Sequence, residues 1–102
     1  MKRVAIIGSG DLGRQIAYHI HSDTRDKVVG FFDEFKPIGT IVNKIPVIGG
    51  NSKIEFEYSN NSFDEVIIAV GYKHMEFRKN IYEKLKGKIP FYTFIHSTAY
   101  ID

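Results

Sequence analysis

The sequence predicts an α/β fold, with a small and mostly parallel sheet as the middle of three layers. Three observations lead there. Short apolar runs alternate with helical patterns, the arrangement that builds a sheet covered on both faces. The first run, Val4-Ala5-Ile6-Ile7, is continuous instead of alternating, as in a parallel strand buried on both sides. It ends in Gly8-Ser9-Gly10-Asp11-Leu12-Gly13, a Gly-x-Gly-x-x-Gly turn between strand and helix. In that context the turn is the phosphate-binding corner of a Rossmann-like unit.

The elements follow in order. Asp11 to Ser22 reads as a helix, with Leu12, Ile16, Ala17 and Ile20 on one face. Val28 to Phe32 is the second strand, ending in Asp33, which completes a right-handed βαβ unit. Between Glu34 and Gly50 the pattern changes. Ile41-Val42 and Ile45 to Ile48 flank Asn43-Lys44 as a small hairpin or extended excursion, although Lys44 is not a favoured turn residue. Ser52 and Glu55 have the spacing of a capping box and predict a short helix, while Ile54, Phe56 and Tyr58 alternate as in a strand. Glu65 to Val70 is the third core strand, and Gly71 ends it. Met75 to Lys86 is an amphipathic helix with Phe77, Ile81, Tyr82 and Leu85 on its buried side and Gly87 as its stop. Phe91 to Ile95 is a final strand, and residues 96–102 form a tail. The domain is therefore expected over residues 1–95.

Bulk properties narrow the function classes. The 102 residues make one domain, large enough to fold without staples. A content of 43% hydrophobic and 25% charged residues predicts an ordinary soluble domain. The net charge of +2 is too small for a nucleic-acid partner. Without cysteine there is no disulfide, no cysteine nucleophile and no cysteine metal site. No apolar run approaches the roughly 20 residues of a membrane span. A strand-like start without a signal-peptide pattern makes the cytoplasm the expected compartment.

The candidate site lies where the strand order reverses, between Gly8–Gly13 and Gly71–His74. Gly8 allows the sharp turn, Gly10 close approach of a ligand, and Gly13 close packing of helix on strand. Free N–H groups and the helix dipole favour a phosphate there. Asp33 lies 20 residues beyond Gly13, the spacing of an acidic residue that hydrogen-bonds a ribose, and reads otherwise as a turn aspartate at a strand end. Glu34 and Lys36 are close enough in sequence to reach the same ligand, or stay solvated. Gly49-Gly50 reads as a second close-approach loop or as a plain turn before a helix, and Gly71 as a strand end at the crevice. Tyr72, Lys73 and His74 share that last loop. His19 and His21 face different sides of a helix, which gives them surface or packing roles and no metal. No catalytic set stands out. One half of a dinucleotide-binding fold fits a nucleoside diphosphate better than NAD.

These residues resemble the N-terminal domain of the PglD/NeuD-type sugar acyltransferases. The likeness rests on Val4–Gly10 with Gly13-Arg14, on Val29 to Glu34, on Ile45 to Gly50, on Glu65 to Gly71, and on Phe94 to Ala99. It implies a Rossmann-like domain that binds the UDP part of a UDP-linked sugar through Gly8, Ser9, Gly10, Asp11, Asp33, Glu34, Lys36 and Gly49. Asp11-Leu12 stands where the family commonly has Gly-His or Gly-Phe, and an aspartate aimed at a diphosphate repels it. In the family, hexapeptide repeats follow the position of His96; they bind acetyl-CoA, form the trimer and hold the catalytic histidine. The expectation is thus a substrate-binding part of a sugar acetyltransferase in glycan biosynthesis, inactive and monomeric alone, with no cofactor of its own. An NAD(H)-binding redox or sensor module, and an interaction module without ligand, are the competing readings.

Overall fold

The computed structural model describes residues 1–71 and 74–93. Tyr72, Lys73, the end of the expected final strand and His96 with the tail lie outside them. The chain runs β1 (Arg3–Ile7), α1 (Asp11–Asp23), β2 (Lys27–Phe32), β3 (Ile41–Val42), β4 (Ile45–Gly49), a 3-10 turn (Asn51–Lys53), α2 (Ile54–Ser59), β5 (Glu65–Ile68) and α3 (Met75–Leu85). The five-stranded sheet has the order β3-β4-β2-β1-β5. β1 pairs in parallel with β2 and with β5, β2 pairs in parallel with β4, and only β3–β4 is antiparallel. This is the Rossmann-like α/β arrangement expected from the sequence, with the strand order reversing at β1.

Two apolar layers sandwich the sheet because β1 sends alternate side chains to opposite faces. Val4 and Ile6 pack with Ile16, Ala17 and Ile20 of α1. Ala5 and Ile7 pack with Ile54 of α2, Phe63, and Ile81 and Leu85 of α3. In β2 the register slips, so that Val4 faces Val28 and Ala5 faces Gly30. Val28 and Phe31, three residues apart, therefore share the α1 side. Among the described residues no helix is long and apolar enough to cross a membrane.

The connection from β2 to β4 carries the β3–β4 hairpin instead of a crossover helix. Asn43 and Lys44 both have positive φ, 51° and 67°, as a two-residue turn that follows the strand twist requires. Lys44 thus adopts a conformation that glycine takes more readily.

Three expectations need correction. The Ser52–Glu55 capping box does not form: no side chain caps the 3-10 turn or α2 in that way. Glu34 replaces it, its Oε1 accepting the Asn51 N–H at 3.2 Å. Tyr82 is not a core residue of α3. It is 46% exposed and stacks on Phe91 with ring centroids 5.0 Å apart, because the buried stripe of α3 runs through Ile81 and Leu85 and Tyr82 lies at its margin. The third core strand stops at Ile68, two residues short of the expected end, because the chain leaves β1 where β1 itself turns at Gly8. Of the final strand, the described part is a parallel bridge of Phe91 to Val66.

Candidate functional site

The strand ends beside the Gly8–Gly13 turn enclose a cleft of about 600 Å³, within the usual ~300–1,000 Å³ of small-molecule sites. It is lined by the glycine turn, by Asp33 to Phe35 after β2, by Asn51, and by Ala69 to Gly71 with His74 and Phe77. The crevice thus lies where the reversal of strand order placed it.

Each glycine of the turn has a distinct steric reason. Gly8 has φ +106°, and a Cβ there would lie 2.6 Å from the Ala69 carbonyl oxygen. Only glycine lets β1 turn so close to the end of β5. At Gly13 a Cβ would come to 2.1 Å from the Gly8 carbonyl oxygen, so α1 packs on the turn backbone itself. Gly10 differs: nothing lies within 4 Å of the place its Cβ would occupy. It is the N-cap of α1, and no side chain caps that helix start. Among the described residues the first amides of α1, beside the cleft, therefore have no acceptor.

Asp33 holds the turn from the neighbouring strand. Its Oδ2 accepts the Ser9 hydroxyl at 2.5 Å and the Ser9 N–H at 3.2 Å, while Oδ1 accepts the Phe35 N–H at 2.8 Å. Burial opposes ionisation of this carboxyl, but the bonds from Ser9 and Phe35, with Lys36 nearby, outweigh it and hold its pKa below the ordinary value. Lys36 reaches back so that Nζ donates to the Ser9 carbonyl at 3.1 Å and to its hydroxyl at 2.7 Å. Ser9, only 1% exposed, is the centre of this clamp. A carboxylate offers about four acceptor positions. Among the described residues three are taken, which leaves one position on Oδ1.

Asp11 lines the cleft mouth, but its carboxylate is paired with Arg14 one turn along α1. The negative charge expected to oppose a diphosphate is matched by a neighbouring guanidinium. Gly13, Lys36 and Gly49 do not line the cleft. Gly13 supports it from behind, Lys36 touches Ser9, and Gly49 sits against Lys53, whose Cβ would be 2.9 Å from an added Cβ. Glu34 lines the wall and also braces Asn51. Asn51, Phe35 and Phe77 were not legible as site residues, since no motif marks them. Among the described residues no cluster of His, Asp and Glu is arranged to hold a metal ion.

A Rossmann-like α/β domain with an open glycine turn defines the class. Residues 3–85 match the PglD N-terminal domain, and the chain belongs to that family. No curated protein matches it significantly. Among solved structures it is similar to UDP-D-quinovosamine 4-dehydrogenase from Vibrio fischeri, with 24% identity and a TM-score of 0.73 over 87% of this chain and 73% of that one. The acetyltransferase domain of PglB from Neisseria gonorrhoeae FA1090 aligns with 25% identity and a TM-score of 0.60, over 85% of this chain and 41% of that one. RSP, a Rex-family repressor solved with β-NADH, aligns at 20% identity and a TM-score of 0.61, covering 95% of this chain and 50% of that one. The chain thus spans half or less of these last two. At such identities the dehydrogenase and the repressor attest the fold.

Proposed function

We propose that this chain binds a UDP-linked sugar and forms the substrate-binding part of an acetyl-CoA-dependent sugar acyltransferase of bacterial glycan biosynthesis. The uncapped start of α1 beneath the open space at Gly10 carries the reading. Phosphate oxygens accept from those amides, and the helix dipole favours their charge. Asp33 Oδ1 accepts a ribose hydroxyl with its remaining lone pair, and the sugar extends past Gly71 and His74. Family membership and the likeness to the PglB domain support the reaction class. The residues here bind and orient; transfer of the acetyl group belongs to a separate, CoA-binding part.

A thermal-shift titration with UDP, UDP-N-acetylglucosamine, NADH and acetyl-CoA tests this. A ligand at 100 times its Kd stabilises by about 2.7 kcal/mol, a rise of several degrees in a domain of this size. The expected result is a shift with the two uridine compounds. A shift with NADH alone, or none with any, overturns the reading.

A further inference from the structure

A second cavity, of about 340 Å³, lies between the last turns of α1 and the β3–β4 hairpin, and it shares no residue with the cleft. Ala17 and Ile45 give it an apolar lining, and Tyr18, His21, Asn43 and Lys44 complete it. Among the described residues no carboxylate lines it. His21 is held in one state there. Its Nε2 accepts the Val28 N–H at 2.9 Å, on the edge of β2 that β4 leaves open by pairing only from Phe31 onwards. Accepting at Nε2 keeps the ring neutral and puts its proton on Nδ1. Among the described residues that Nδ1–H, the Tyr18 hydroxyl and the Lys44 ammonium have no polar partner.

Lys44 gives an independent reason to look here. It holds φ 67° on an exposed turn between β3 and β4, where glycine or asparagine is the easier occupant. Residues kept in such a conformation cluster where a site uses their side chains. One cation with two neutral donors matches one carboxylate, which carries a single charge and about four acceptor positions. A phosphate monoester would bring up to two charges to a single ammonium. The remaining volume, beside Ala17, Ile45 and the Tyr18 ring, suits a small apolar body. We propose that this cavity binds a small organic carboxylate, its oxygens accepting from Lys44 Nζ, the Tyr18 hydroxyl and His21 Nδ1. The site stands apart from the cleft and does not depend on what the cleft binds.

The test is an NMR titration of the full chain with benzoate at constant ionic strength, with benzyl alcohol as the neutral analogue. Saturable shifts are expected at the amides of Val28 and Lys44, and benzyl alcohol should bind about tenfold more weakly or worse, for want of the charge-assisted bonds. Lys44→Gly should weaken benzoate about tenfold while raising the Tm, so that the loss is not one of folding. Tyr18→Phe, which removes only the hydroxyl, should weaken it about fivefold. Lys84→Ala, at an exposed lysine of α3, should change nothing. Four results each overturn the proposal: no saturable shift with benzoate, equal binding of benzyl alcohol, undiminished binding by Lys44→Gly, or a loss in Lys84→Ala as large as that in Lys44→Gly. Shifts confined to the cleft amides of Gly10 and Asp33 overturn it as well.

Discussion

Gly10 and Gly13 belong to one motif, yet the structure predicts opposite consequences for replacing them. In Gly13→Ala the new methyl would lie 2.1 Å from the Gly8 carbonyl oxygen, where real contacts stay above 3.0 Å. Both atoms are fixed by backbone, so α1 must move by about 1 Å, and overpacking of this kind costs ~1–3 kcal/mol or more. Alanine returns up to ~1 kcal/mol as a better helix former. A net loss of about 2 kcal/mol lowers the Tm by about 8 °C or more. At Gly10 φ is −77° and the space is open, so Gly10→Leu costs no more than ~1 kcal/mol as a poorer N-cap. Its side chain, however, occupies the approach to the α1 amides. Loss of two charge-assisted hydrogen bonds at ~1.5 kcal/mol or more each weakens UDP binding at least about 100-fold. Thermal melts by circular dichroism and calorimetric titration with UDP measure the two effects. Unimpaired UDP binding by Gly10→Leu would refute the phosphate role of the turn, and a Gly13→Ala melt at or above wild type would refute the close packing.

Four further outcomes are expected. Ser9→Ala removes the donor to Asp33 and the acceptor for Lys36; chemical denaturation should show a loss of about 1–3 kcal/mol. Asp64 is held down to about 2, chiefly by its hydrogen bond from the Arg3 side chain. Stability present above its ordinary 3.8 is therefore lost as pH falls towards 2, and Asp64→Asn should flatten the urea midpoint across that window. Tyr92 is pushed up to about 12 by burial and by the hydrogen bond to Asp26. Its contribution is complete below pH 10 and fades towards 12, an alkaline dependence that Tyr92→Phe should lack. Lys44→Gly relieves a lysine at φ 67° on an exposed turn and should raise stability by ~1 kcal/mol, read as a higher Tm.

Much of the site was legible because local sequence dictates it. A glycine turn between an apolar run and a helix forms from its own few residues, and Gly8, Gly10 and Gly13 stand where the motif put them. Asp33 was legible by spacing alone. Its bond from Ser9 was not, nor was the bond of Lys36 to Ser9, because both depend on β1 and β2 lying side by side. Asn51 carried no signal. It joins the cleft wall only after β4 has docked on β2.

The sequence by itself determined the α/β class, the order of the core strands about β1, and the open glycine corner between β1 and α1. Those follow from hydrophobic period and from glycine at three positions, both local properties of the chain. Tertiary structure alone decided that Glu34, not Ser52, braces the 3-10 turn. It also turned Asp11 towards Arg14, left Tyr82 outside the core, and set Asn51 in the wall of the cleft. A side chain's partner is fixed by which strands become neighbours, and that is settled by packing across the sheet.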